Sequence, residues 1–185
     1  MKTKKILSVL GLSLSLLISI PAVMANEANE TVVIERNQAV VQVNGVVCSF
    51  CAYGAEKELS KLSFLDKTQF GNDGVLVDIH THRITLALQP SEQMNVTKIY
   101  DAIKKGGYDP TAVYVNIHGE VQQYGGRYLL TCPENNQVFE ISGSGVDALV
   151  GKGLIQVKGQ VDVEQIPSIK AGQPIPVTVT SLGMS

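Results

Sequence analysis

Residues 39–52 read AVVQVNGVVCSFCA, and this stretch decides how the first half of the chain folds. Its first five residues are apolar except for one glutamine, which predicts a β-strand, and the Asn-Gly pair after them predicts a turn. From Phe50 to about Leu62, apolar or small residues recur at helical spacing, so we expect a helix directly after the turn. Cys48 and Cys51 therefore fall at the junction between a strand and the start of a helix.

The pattern continues with two strands, a second helix and a further strand. Apolar runs between turn residues predict the strands at 75–79, 83–88 and 112–115. The helix is marked by apolar residues from Val96 to Ile103, begins at Ser91 or Asn95, and is stopped by Gly106-Gly107. The order strand, helix, strand, strand, helix, strand is the split βαβ arrangement. We therefore predict a ferredoxin-like βαββαβ domain over residues 37–117.

Beyond residue 118 the pattern is that of strands. Short apolar runs separated by glycine and proline turns predict strands at 120–124, 127–131, 137–142, 154–163 and 175–182, with one short helical piece at 146–150. Such a series favours a small all-β barrel, and an OB-like barrel carries a helix at this place. The fold class we predict is α+β, with a ferredoxin-like domain followed by a small OB-like barrel over residues 118–185.

The amino terminus has the three parts of an export signal. Lys2, Lys4 and Lys5 precede an apolar run at 6–20, which is shorter than a membrane span, and small residues follow at 21–25. We predict a signal peptide at 1–25, a flexible lead-in at 26–36, and a periplasmic location, or secretion if the source cell has no outer membrane. After cleavage we expect no membrane partner. The formal net charge of −2 and the lack of a basic cluster argue against nucleic acid as a partner.

The chemistry of the chain centres on Cys48 and Cys51. Unpaired backbone amides and the positive end of the dipole at a helix start favour the thiolate, which is both a metal ligand and a nucleophile. Two thiolates alone suit a two-coordinate soft ion, with Cu(I) as the first candidate and Hg(II) or another soft ion as alternatives, whereas zinc needs four ligands. The same spacing also fits a redox dithiol or a structural disulfide.

The motif resembles that of heavy-metal-associated (HMA) domains. Residues 44–52, together with Ile103-Lys104-Lys105-Gly106-Gly107-Tyr108, are similar to the corresponding segments of copper chaperones, copper-ATPase amino-terminal repeats and periplasmic mercury-binding proteins. The resemblance covers about 39–116. It implies that Cys48 and Cys51 are the metal ligands and that Gly107-Tyr108 packs near the metal loop. A donor or acceptor protein for the metal is then a further expected partner.

We therefore expect an exported protein, not an enzyme, that binds, delivers or sequesters Cu(I) or another soft ion through its CxxC dithiol. Two alternatives stay open. One is a thiol–disulfide oxidoreductase that uses the same pair, although the sequence lacks a thioredoxin-type Cys-Gly-Pro-Cys motif. The other is an assembly protein that does not depend on the dithiol and binds another polypeptide through its barrel.

Five further side chains have an ordinary interpretation and a functional one. His80 and His82 are expected on a solvated hairpin tip on the metal-loop side, where an imidazole could reach a metal. Lys104 and Lys105 suit the end of a helix through its dipole, and could also stabilise a negatively charged Cu(I) dithiolate. Cys132 is expected to be a buried small hydrophobe, with a third metal ligand or an intermolecular disulfide as alternatives.

Overall fold

The computed structural model describes residues 32–45 and 48–183, without the side chains of Ser49, Cys51 and Asn72. The predicted signal peptide and residues 26–31 of the predicted lead-in lie outside this part of the chain. Among the described residues, no helix has the length and apolar character needed to cross a membrane.

The described residues form a mixed α+β structure built on one eight-stranded sheet. Its strands and helices are β1 (Gln38–Asn44), α1 (Ser49–Leu59), β2 (Val75–Asp78), β3 (Arg83–Ala87), α2 (Val96–Lys105), β4 (Asp109–Tyr124), β5 (Arg127–Thr131), β6 (Val138–Ser142), β7 (Leu154–Val161) and β8 (Ile175–Gly183). Three short 3₁₀ helices lie at Phe70–Asn72, Asp147–Leu149 and Ile166–Ser168.

The first four strands follow the predicted order along the chain. They pair in the order β2-β3-β1-β4, and each of these pairs is antiparallel. The helices α1 and α2 contact each other, and their buried residues join the apolar side chains of one sheet face in a single core. Helix α1 ends at Leu59, earlier than the expected Leu62, where the chain turns with a hydrogen bond from the Leu62 amide to the Leu59 carbonyl.

The strand predicted at 112–115 is much longer than expected. β4 runs from Asp109 to Tyr124 because its two ends have different partners: residues up to Val115 pair with β1, and residues from Glu120 pair with β5. Residues 113–120, which overlap the ends of both segments, pair with β7. The polar residues Asn116 and His118 interrupt the apolar pattern in the sequence, but not the strand.

The last five strands form a closed ring of pairings. β4 pairs with β5, β5 with β6, β6 with β8, β8 with β7, and β7 again with β4; only β6 and β8 run parallel. Two glycines lie where strands approach closely: a Cβ on Gly119 would lie 2.3 Å from the Thr131 carbonyl oxygen, and one on Gly159 would lie 2.3 Å from Val177 Cγ1. The described residues group as one compact unit, and β4 passes through the domain boundary expected at residue 118.

Candidate functional site

The motif cysteines lie at the start of α1. Cys48 is half-buried and directly precedes the helix, whose first residue is Ser49, and Cys51 belongs to its first turn. The Ala52 amide donates a 2.9 Å hydrogen bond to the Cys48 carbonyl, so the turn that carries both cysteines is already helical in its bonding. The first turn of α1 contains no acidic residue that would oppose a thiolate.

Three connecting segments meet at this edge of the sheet. In the β1–β3 pair, Gln42 lies opposite Arg83, and in the β1–β4 pair, Asn44 lies opposite Asp109. Antiparallel pairing thus brings the β1–α1 loop beside both the β2–β3 hairpin tip and the α2–β4 turn. The hairpin tip therefore lies on the side of the motif loop, as expected.

Tyr108 packs between the motif loop and both helices. A Cβ on Gly45 would lie 3.3 Å from Tyr108 Cδ1, one on Gly106 would lie 3.3 Å from Cδ2, and one on Gly54 would lie 3.8 Å from the hydroxyl oxygen. Gly45 also has a φ of +94°, which side-chain-bearing residues rarely adopt. Glycine at position 45 lets the ring of Tyr108 lie against the backbone at the start of the motif loop, and glycines 54 and 106 leave room for the ring beside α1 and the end of α2.

The hairpin tip is anchored to the end of β1. The Val43 amide donates a 2.9 Å hydrogen bond to the His82 carbonyl, and Gln42 Nε2 donates one of 3.0 Å to the Thr81 carbonyl. Arg83 Nε in turn donates to Gln42 Oε1 at 3.2 Å. These bonds involve three successive residues of the hairpin. The tip is therefore held in place relative to the strand that leads into the motif loop.

The carboxylate of Asp78 stabilises the turn of the hairpin tip. It accepts hydrogen bonds from the backbone amides of His80, at 2.8 Å, and Thr81, at 3.3 Å. Hydrogen bonding from the Thr81 side chain and from these amides holds the pKa of Asp78 below its usual value. The charge of Asp78 therefore stabilises the turn through these hydrogen bonds.

Both lysines at the end of α2 are bound to carboxylates. Lys104 Nζ pairs with Asp109 Oδ1, which raises the lysine's pKa, and Lys105 Nζ lies 3.0 Å from Glu58 Oε2. Glu58 also pairs with Lys61. These contacts favour the ordinary interpretation of the lysines, as cations at a helix end that are partly neutralised by neighbouring acids.

Cys132 lies far from the motif. It lines a small cavity of about 70 Å³ whose wall includes Asn37, Gln38 and Leu88, at the start of β1 and just beyond β3. The motif loop follows the opposite end of β1, about 20 Å away at the rise of an extended strand. Cys132 therefore cannot share a metal ion with Cys48, and the third-ligand alternative is wrong for a site within one chain.

The environment of Cys132 agrees with its ordinary interpretation. The residue is half-buried against the hydrophobic core, and burial, with a smaller effect of the nearby Glu134 charge, raises the pKa of its thiol to about 11. A thiol with this pKa is almost fully protonated at neutral pH, so it is a weak nucleophile.

A charged cluster beside this cavity was not foreseen from the sequence. Arg36 Nη2 donates to Glu134 Oε1 at 2.8 Å, and His118 Nδ1 lies 3.5 Å from the same guanidinium nitrogen. These residues are 98 and 82 positions from Arg36 along the chain, so no local pattern could have indicated the cluster. It ties the segment before β1 to the turn after β5.

Among the side chains that the structure describes, no three histidine, cysteine, aspartate or glutamate residues are grouped so that they could hold a metal ion. The side chain of Cys51 is not among them.

Comparison with known proteins gives little further information. No protein-family model matches the chain, and no curated protein matches it. One solved structure, titled CopZ metallochaperone, is similar to part of the chain: the identity is 22%, the alignment covers 40% of this chain and 97% of that chain, and the TM-score is 0.33. A likeness of this size is too slight to assign a fold or a function.

Proposed function

We propose that the chain is an exported protein that binds Cu(I), or another soft metal ion, through Cys48 and Cys51, and that delivers or sequesters this ion. The observation that carries the proposal is the location of the two cysteines at the start of a helix, with Cys48 directly before α1 and Cys51 in its first turn, at the sheet edge where Tyr108 packs against Gly45. A helix start supports the thiolate form that soft metals bind.

The coordination number favours Cu(I). The motif supplies two thiolates, and Cu(I) is stable with two soft ligands, whereas zinc normally takes four. The half-buried ring of Tyr108 beside the loop supports such a site, because it would limit the access of water from one side.

Exposed aromatic side chains beside the motif support a partner protein for the metal. Phe50 and Tyr53 on α1 are 87% and 60% exposed. Aromatic residues are enriched in protein interfaces. We propose that a metal donor or acceptor contacts this side of α1.

We also propose a fold type for each half of the chain. The strand order β2-β3-β1-β4, with both helices on one face, supports a ferredoxin-like, HMA-type domain at 37–117. The closed ring of β4 to β8 supports an OB-like barrel for the rest of the chain.

Metal titration of the reduced protein tests the function. In competition with a chromophoric Cu(I) chelator, we expect one Cu(I) per chain, and we expect Cys48→Ser and Cys51→Ser each to abolish tight binding. Cys132→Ser is the matched control, because it also removes one thiol but lies at the other end of β1, and it should bind as the wild type does. Equal binding by the wild type and the Cys48→Ser, Cys51→Ser double variant would exclude the proposed site.

The same proteins separate the alternatives. An oxidoreductase would exchange disulfides with a dithiol reductant and a disulfide substrate at a rate that depends on both motif cysteines, whatever its metal affinity. If the chain is an assembly protein, the double variant would keep its function in cells although it had lost both metal binding and disulfide exchange.

A further inference from the structure

We infer that His118 is a pH-sensitive switch that controls how firmly the segment before β1 is attached to the rest of the structure. This segment, residues 32–37, is called the strap below. The inference does not depend on the proposed metal site. It concerns the cluster of Arg36, His118 and Glu134 beside the small cavity described above.

The strap is attached by one buried side chain and by polar contacts. Ile34 is 4% exposed, and its carbonyl accepts a 3.0 Å hydrogen bond from Asn116 Nδ2. At the junction with β1, the Asn37 carbonyl accepts a 2.8 Å hydrogen bond from the Leu88 amide. Neither contact involves a titratable group. A change of pH therefore acts on the strap through Arg36, which lies between these two points.

One carboxylate oxygen lies close to both basic side chains of the cluster. Glu134 Oε1 is 2.8 Å from Arg36 Nη2 and 3.8 Å from His118 Nδ1, and the two nitrogens are 3.5 Å apart. A neutral imidazole with its proton on Nε2 accepts a hydrogen bond at Nδ1. The neutral form of His118 is therefore a second acceptor for the Arg36 guanidinium, besides Glu134.

Protonation of His118 converts this attraction into a repulsion. Nδ1 then carries a proton and no longer accepts, so two positive charges lie 3.5 Å apart. The imidazolium also competes for Glu134 Oε1, the oxygen that accepts the hydrogen bond from Arg36. Histidine side chains generally change their charge between about pH 5 and 8. Mild acidification thus weakens the attachment of Arg36.

The other charged or titratable side chains around His118 lie on β4, on β7 and in the cavity wall: Glu120, Lys158, Glu92 and Cys132. Glu120 and Lys158 share the sheet face of His118 and have opposite charges. The Cys132 thiol, whose pKa is about 11, is uncharged where histidine titrates. Within the described part of the chain, Glu134 is the one carboxylate that pairs with His118. The Arg36–Glu134 pair therefore dominates the effect of its protonation.

A weaker attachment of the strap opens the cavity. Arg36 and Asn37 form part of the wall of the cavity of about 70 Å³ that Cys132 also lines. At low pH we expect the strap to leave this wall more often, which exposes Ile34 to water. The switch thus acts on this cavity and not on the motif at the opposite end of β1.

The first test follows the Ile34 methyl groups and the His118 ring protons by NMR, from about pH 8 to about pH 5. We expect the Ile34 signals to move toward those of an exposed isoleucine, with the same midpoint as His118. In His118→Gln they should stay in place, because glutamine accepts a hydrogen bond but gains no charge. Ile99, which is fully buried on α2, is the control signal and should not move.

A double-mutant cycle measures the contact directly. Urea unfolding of the wild type, Arg36→Gln, His118→Gln and the double variant gives the coupling between the two side chains. We expect this coupling to be stabilising near pH 8 and to change sign near pH 5. The matched control is the pair Arg127 and Glu140, which lies at 3.2 Å, has similar exposure and involves no histidine. Its coupling should stay stabilising.

Three NMR results would overturn the inference: no movement of Ile34 while His118 titrates, one charge state of His118 throughout the range, or the same movement in His118→Gln. A coupling between Arg36 and His118 that is equal at both pH values would also contradict it. None of these measurements involves a metal, so failure of this inference is distinct from failure of the proposed function.

Discussion

The ring of Tyr108 lies against Gly45 so closely that a Cβ on this glycine would be 3.3 Å from Tyr108 Cδ1. This contact joins the turn after α2 to the loop that carries the motif, although the two residues are far apart in the sequence. The motif loop is therefore shaped by a side chain from another part of the chain as well as by its own residues.

Gly45→Ala should destabilise the protein through both strain and crowding. We expect the free energy of unfolding in urea to fall by about 1–3 kcal/mol, because alanine at a positive φ is strained and its Cβ must also displace Tyr108. Gly107→Ala is the matched control: Gly107 has a φ of +90°, but a Cβ there would meet no atom within 4 Å. Equal losses in the two variants would show that the contact with Tyr108 contributes nothing.

The thiol of Cys132 should make stability depend on pH in alkaline solution. Burial raises its pKa from 9.0 to about 11, so between these values the unfolded chain has lost the proton that the folded chain keeps. The folded state binds more protons there, and the free energy of unfolding must fall as the pH rises through this range. Urea titrations from pH 8 to 11 should show a steeper fall for the wild type than for Cys132→Ala. Parallel curves for the two proteins would contradict the burial of the Cys132 thiol.

The same pKa predicts the order of thiol modification. With the reduced protein at neutral pH, iodoacetamide should label the motif cysteines well before Cys132, because the reactive species is the thiolate. Peptide mass spectrometry of a time course measures this order. Early labelling of Cys132 would mean that its thiol is far more accessible than the structure has it.

The boundary proposed at residue 118 can be tested with fragments. Because β7 pairs with residues 113–120, a fragment 118–185 loses most of the β4 residues that close the ring, whereas a fragment 109–185 keeps all of β4. We expect dispersed amide signals from 109–185 and not from 118–185. Dispersed signals from 118–185 would show that the ring folds without the first half of β4 and would support the boundary where the sequence suggested it.

Export should remove the predicted signal peptide. If residues 1–25 are a signal, the intact mass of protein recovered from the periplasm or the medium corresponds to a chain that begins near Asn26. A Met1-containing species in the membrane fraction would instead indicate an uncleaved anchor.

The order of the elements in the first half of the chain could be predicted from the sequence because it depends on local patterns. Alternation, helical periodicity and turn residues report which face of each segment is buried, and they locate the cysteine pair at the start of α1. The same patterns located the hairpin with its two histidines. Antiparallel pairing of β1 with β3 then brings that hairpin to the edge of the sheet where the motif lies. The predicted order of the strands already implied this position.

Other features depended on contacts between distant residues. Only the tertiary structure decided that β4 continues through Asn116 and His118, because its partners there are β7 and the segment before β1, which lie far away in the sequence. It also distinguished the half-buried His82 from the exposed His80, and it separated Cys132 from the motif by the length of β1. A sequence pattern indicates whether a residue is buried, but the residues that it contacts are determined by pairing between segments that lie far apart in the sequence.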